Sequence, residues 1–413
     1  MYYKEILKRS FFLTFCLFLI FTATFSFSGE VYDPLSVYLT WKKSPETTMS
    51  IQWVSKKNEV NDLVYYRPLN SSGFDTCLPF SQKLGSHVNM PEGQPYLIHQ
   101  VELTDLQPGT AYTFKITENG KLYKFKTIPA SLTKLRFVEG GDVYHGTVDV
   151  LEETNLQAAK LSPDFAVIGG DIAYAADSSH GVFPENFQNW LNFLITWKIT
   201  MVTPDGFMIP IIPTIGNHET AGGYGKTPAA APFFYALFPM PGIQGYNVLD
   251  FGNYMSIILL DSGHTHPIGG KQADWLRDTL KSRTHVPYKF AVYHVPAYPS
   301  VRSYSGEISE YIRKHWVPLF DTFSLRAGFE HHDHAYKRTF PLKNHKAHEK
   351  GVIYLGDGAW AVSNPRKQRR LTPYIAKSVA SRHFILVTLT EEGVKYEAFN
   401  EKGEIIDQYG QNK

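Results

Sequence analysis

Between residues 135 and 334, five apolar, strand-like segments each break off at a carboxylate, an amide or an imidazole. "LRFVEGGD" stops at Asp142, and "DFAVIGGD" stops at Asp171 with Tyr174 close behind. "PTIGNHE" delivers Asn217, His218 and Glu219; "KFAVYH" ends at His294; "SLRAGFEHHDH" ends in His331, His332 and His334. In an open α/β sheet, groups just beyond the carboxyl ends of the strands share one crevice. Residues far apart in the chain can therefore meet there. Gly140-Gly141, Gly169-Gly170 and Gly216 sit just before the polar groups. A residue without a side chain lets the backbone turn sharply and lets an ion come close.

Each polar group alone also has an ordinary structural role. Asp142 and Asp171 can cap the helices that follow, Asn217 can stabilise a turn, and Tyr174 and His294 can be core residues. The joint pattern of five strand ends carrying oxygen and imidazole donors is what points to metal. If residues 328–338 are extended, side chains alternate, so His332 and His334 share one face and His331 points away with Asp333. His332 and His334 are then the ligands, and His331 either supports a ligand from behind or is a surface or structural residue.

The five segments belong to a region of strand–helix alternation that starts near residue 134. Helical stretches are expected at 147–160, 185–199, 271–282 and 306–323, and residues 382–410 read as strands joined by turns that close one sheet edge. Residues 31–129 read differently. Short β-branched and aromatic runs such as "SVYLTW" and "TMSIQWV" are separated by turn signals, including Pro108-Gly109 and "ENGK". That spacing predicts an all-β sandwich like a fibronectin type III domain, followed by an α/β domain over 134–410.

Residues 1–28 have a basic start, an apolar run from Phe11 to Phe27 and a small-x-small site at Ser26-Phe27-Ser28. This is the layout of a secretory signal, with an uncleaved anchor as the alternative, and it predicts a secreted or otherwise extracytoplasmic protein with no stable membrane span after cleavage. Of the two cysteines, Cys16 lies in that segment and Cys77 in a loop-like stretch, so there is no disulfide framework. The net charge is +2, and no basic patch of the kind nucleic-acid binding requires is evident.

The set "GGD…GGDIAY…GNHE…AVYH…HDHAYKR" resembles the signature of calcineurin-like metallophosphoesterases, and Tyr174 points to their purple acid phosphatase branch. The resemblance spans nearly the whole chain after residue 30. It implies two metal ions: one held by Asp142, Asp171, Tyr174 and His334, the other by Asp171, Asn217, His294 and His332, with Asp171 bridging. It implies His218 as the acid near the leaving group. Hard oxygen donors and a phenolate suit iron(III), and the mixed set suits divalent zinc, manganese or iron. The implied activity is hydrolysis of phosphate monoesters on a small phosphorylated substrate, by attack of metal-bound hydroxide. A phosphodiesterase or nucleotide hydrolase on the same scaffold is the first alternative, and a non-catalytic surface binding protein is the second. Two departures from the pattern concern the substrate side. Tyr144 stands where the branch usually has glycine, and "HVPAYPSVRSYSGE" offers Tyr298, Arg302 and Ser303 where plant-type members often carry two histidines. Tyr144 and Arg302 are the candidate substrate-binding residues, Arg302 either as a bidentate phosphate ligand or as a solvated loop residue.

Overall fold

The computed structural model describes residues 31–69, 78–176, 185–240, 242–368 and 372–413. The segment read as a signal and Cys77 lie outside these residues. No helix among the described residues is long and apolar enough to cross a membrane.

The N-terminal part is a sandwich of two four-stranded sheets. One runs Ser36–Thr40, Met49–Lys56, Tyr96–Leu103, Ser86–Asn89; the other runs Ser81–Leu84, Leu63–Pro68, Ala111–Lys115, Tyr123–Lys126. All neighbours pair antiparallel. The strand Ser36–Thr40 is buried on both faces, which explains why Val37, Tyr38 and Leu39 are apolar in succession instead of alternating with polar residues. Val37 and Leu39 enter the sandwich core. Tyr38 turns the other way, stacks edge-on against Phe238 and donates its hydroxyl to the Leu237 carbonyl at 2.7 Å. The sandwich is thus packed onto the second domain through a shared core, with Trp41 edge-on to Phe165 and Phe251.

The second domain stacks a six-stranded sheet on a seven-stranded one. In the first, Ile211–Thr214, Phe165–Gly169 and Lys134–Gly140 run parallel. His383–Thr390, Gly393–Asn400 and Ile405–Asn412 extend that sheet antiparallel at one edge, as expected for residues 382–410. In the second, Met255–Leu259, Tyr288–Val292, Ala327–Glu330 and Ile353–Gly356 run parallel. Phe137 of one sheet packs edge-on against Phe290 and Phe329 of the other, with ring centroids 5.8 and 6.2 Å apart. The helices Val148–Lys160 and Phe187–Thr200 cover one outer face. Lys271–Ser282, Glu307–His315 and Val317–Thr322 cover the other. The single helix expected over 306–323 is two helices that meet at Trp316. Pro318 has no N–H to donate, and its ring clashes with a carbonyl one turn back.

Candidate metal centre

The parallel strands of both sheets deliver the expected residues to one rim. Asp142 follows Lys134–Gly140 and Asp171 follows Phe165–Gly169; both carboxylates are buried. Neither caps a helix, because the helix caps fall at Thr147 and Asn186. Asn217 and His218 open a short 3-10 turn after Ile211–Thr214, and His294 follows Tyr288–Val292.

Three groups converge on one side. Asp142 Oδ1 lies 2.9 Å from both the Tyr174 hydroxyl and His334 Nε2, and the Tyr174 hydroxyl lies 3.1 Å from that same nitrogen. The other side is built around His294 Nε2. It lies 3.2 Å from Asp171 Oδ2, 3.0 Å from Asn217 Oδ1 and 3.1 Å from His332 Nδ1. The other ring nitrogen, Nδ1, is 2.9 Å from the Gly169 carbonyl. A carbonyl only accepts, so Nδ1 carries a proton, and Nε2 faces the Asp171 carboxylate, the Asn217 amide oxygen and His332 Nδ1, a place for a shared proton or a cation.

Electrostatics follow from that crowding. Burial would raise the Asp171 carboxyl, but His294, His218 and His332 overcome it and hold it well below its usual range. Burial would lower His294, yet Asp171 and Asp142 raise it to about 9. Burial, His294 and Arg302 keep His332 neutral. Burial and Asp142 push the Tyr174 phenol well above its ordinary value.

The loop 331–335 is not extended. His332 and His334 both sit at positive φ, 75° and 60°, and so do Asp142, Asp171 and Tyr174. Such backbone costs roughly 1 kcal/mol or more at each position and persists only where the surroundings impose it. His332 and His334 therefore face the centre because the loop turns twice, not because side chains alternate. His331 is fully buried, which removes the surface half of its reading. Its Nδ1 donates to the Tyr293 carbonyl at 2.8 Å, and its other nitrogen meets Glu139.

The glycines also act differently from the expectation that they admit an ion. A Cβ on Gly169 would lie 1.7 Å from His331 Cε1, and one on Gly141 would lie 2.5 Å from the same ring. One on Gly216 would lie 2.3 Å from Asp171 Oδ1. These positions are bare because protein side chains fill the space.

His218 donates its backbone N–H to Asp171 Oδ1 at 2.8 Å. Its Nδ1 bonds the Ala176 carbonyl at 3.2 Å, and its ring lies 4.4 Å from that of Tyr174. Arg302 pairs with Asp333 at 3.0 Å and bonds the His332 carbonyl. With Tyr224, His332 and Ile308 it lines a recess of about 340 Å³. The Tyr144 hydroxyl accepts from Asn192 at 3.1 Å and is turned to the helix Phe187–Thr200. Tyr298 is buried and bonds His345.

Four residues have no assigned role in the sequence. Buried Glu219 accepts the backbone N–H groups of Asp171 and Ile172 at 2.7 Å each and of Gly216 at 2.9 Å; its place beside Asn217 and His218 was the available signal. His145 stacks edge-on to Tyr174 and His334 at 4.8 and 5.0 Å, and it follows Asp142 in the same block. The Tyr224 hydroxyl lies 3.3 Å from His332 Nε2, and its ring is 4.9 Å from that of buried His264. Neither Tyr224 nor His264 lies in a recognisable block.

The family model described as calcineurin-like phosphoesterase matches residues 104–336. The chain belongs to that family. The model for the purple acid phosphatase N-terminal domain matches residues 34–127, which places this calcineurin-like phosphoesterase in the purple acid phosphatase branch. Purple acid phosphatase 21 of Arabidopsis thaliana is 28% identical over 63% of the chain, a match that spans 58% of the plant protein. Acid phosphatase type 7 of Mus musculus is 20% identical over 88% of the chain and 86% of its own length. Among solved structures, the purple acid phosphatase from yellow lupin (Lupinus luteus) seeds superposes with a TM-score of 0.74 at 16% identity, covering 91% of this chain and 74% of that one. That likeness shows the fold.

Proposed function

We propose that the chain is an exported hydrolase of phosphate monoesters that works with two metal ions. The observation that carries this is the set of acceptors around His294 Nε2, with the adjoining set of Asp142, Tyr174 and His334. Lone pairs and carboxylates do not gather at about 3 Å without protons or cations between them. The donors fit that role chemically: carboxylates and a phenol for iron(III) on one side, imidazoles and an amide for zinc, manganese or iron(II) on the other. Asp142, Asp171, Tyr174 and His334 would hold the first, and Asp171, Asn217, His294 and His332 the second. When bound, the pair supplies Lewis acidity that neutralises phosphate charge and eases deprotonation of water.

The chain's own groups do the remaining work. Gly169 fixes the tautomer of His294. Glu219 holds the Asp171 backbone, and with it the carboxylate that faces His294 Nε2 and would bridge the two ions. His218 stands beside Tyr174 with Nδ1 tied to Ala176, which leaves Nε2 as the nitrogen to protonate a leaving oxygen. Arg302 places a guanidinium at the edge of the recess beside His332, where it binds a phosphate oxygen.

The test is metal analysis and a visible spectrum on protein purified without chelator, together with turnover of p-nitrophenyl phosphate and bis-p-nitrophenyl phosphate. Two metals per chain and faster cleavage of the monoester are expected. Faster cleavage of the diester would make the chain a phosphodiesterase. Absence of both metal and hydrolysis would leave a binding module.

A further inference from the structure

The N-terminal sandwich carries a second group of metal-type donors, in a domain to which the proposed hydrolysis assigns no chemistry. Asp62 precedes the strand Leu63–Pro68 of one sheet. His87 and His99 face each other on the paired strands Ser86–Asn89 and Tyr96–Leu103 of the other. Asp62 uses one oxygen for each: Oδ2 lies 2.8 Å from His87 Nδ1, and Oδ1 lies 2.7 Å from His99 Nδ1. The three donor atoms all lie within 4.8 Å of one another.

The setting of His99 points to a ligand. Its ring is fully buried and stacks flat on Trp53 at 4.7 Å. Its far nitrogen, Nε2, lies 2.8 Å from the Ser55 hydroxyl oxygen. That hydroxyl has two carbonyls to donate to, those of Lys56 at 3.1 Å and Glu59 at 3.2 Å. With its proton given to one of them, Ser55 accepts from Nε2–H. Nδ1 is then a lone pair aimed at the Asp62 carboxylate, which is the tautomer a metal-binding histidine takes when its other nitrogen is fixed by a hydrogen bond.

We propose that Asp62, His87 and His99 bind one divalent cation of the zinc type and so pin the two sheets of the sandwich together. Two imidazoles and a carboxylate are a common donor set for such an ion, with the fourth position left to water. His87 and Asp62 are open enough to admit that water, with side chains 33% and 15% exposed. Donors around tetrahedral zinc stand about 3.4 Å apart, so the Asp62–histidine contacts of 2.8 and 2.7 Å open as an ion enters. Residues 31–129 contain a single cysteine. The cation would do there what a disulfide does in other small extracellular domains.

The experiment uses the full chain with its catalytic metals loaded and excess metal removed. Zinc chloride is then titrated by calorimetry, and unfolding is followed by a thermal scan. Wild type is expected to take up one further equivalent, with its Tm raised by a few degrees. His87→Ala changes an exposed strand residue and is expected to take up none, to show no zinc-dependent Tm and to keep full turnover of p-nitrophenyl phosphate. Asp62→Asn is expected to behave alike. His332→Ala is expected to keep the sandwich equivalent while losing a catalytic metal, which separates this proposal from the catalytic one. No further equivalent in wild type would show a hydrogen-bonded Asp–His pair only. Undiminished uptake by both His87→Ala and Asp62→Asn would equally overturn the assignment.

Discussion

His331 occupies the space that a Cβ on Gly169 would need, with its Cε1 1.7 Å from that position. The imidazole is held from both ends, by the Tyr293 carbonyl and by Glu139. It packs between the strand ends that lead to Asp142 and Asp171. The backbone of Gly169 also accepts the proton-bearing nitrogen of His294. One residue thus couples the packing of the two sheets to the orientation of a candidate ligand.

Gly169→Ala is therefore expected to destabilise the protein by about 1–3 kcal/mol or more, the usual cost of overpacking a filled core. It should also lower metal content, because His331 or the 169–171 backbone must move. Denaturant unfolding and metal analysis on the same sample check this. Wild-type values for both would mean that the ring is less firmly seated than its hydrogen bonds indicate.

Glu219→Gln keeps the shape of the side chain and replaces one acceptor oxygen with an amide that opposes backbone N–H donors. The groups concerned are the N–H groups of Asp171, Ile172 and Gly216. Removing a partner that orients a ligand typically costs about 10- to 100-fold in metal affinity or activity. The measurement is metal affinity by competition with a chelator, alongside kcat; unchanged affinity would reduce Glu219 to a packing role.

His218→Ala is expected to slow hydrolysis of esters with poor leaving groups far more than that of p-nitrophenyl phosphate. A nitrophenolate leaves without help, whereas an alkoxide needs a proton. Equal losses across a leaving-group series would exclude it as the acid.

Metal uptake should weaken as the pH falls. In the metal-free protein His294 is raised to about 9 and Tyr174 is a phenol, so below pH 9 an ion has to displace a proton from each. Affinity should drop by about tenfold per pH unit for each proton displaced. Proton release on iron loading, measured in a lightly buffered solution, should fall by one in Tyr174→Phe. The same variant should lose its visible band, since that band would arise from phenolate-to-iron charge transfer.

Much of this molecule was legible in the chain. The parallel strands that precede Asp142, Asp171, Asn217, His294 and His332 are short, apolar and bounded by glycine or polar residues, and that pattern depends on local composition alone. The rule that strand ends share a crevice then brings the candidate ligands together without further information. The two sheets of the sandwich were equally visible, because alternation and turn residues act over a few positions.

What only the tertiary structure decided has long-range causes. The loop 331–335 turns through positive φ at His332 and His334 because packing overrides the local backbone preference. His331 is buried because Glu139 and the Tyr293 carbonyl, both distant in sequence, supply its partners. Tyr224 and His264 join the site by packing alone. The meeting of Asp62, His87 and His99 depends on the approach of two sheets. Local spacing sets which residues end a strand. The identity of the groups that face them is set by contacts that exist only once the chain has folded.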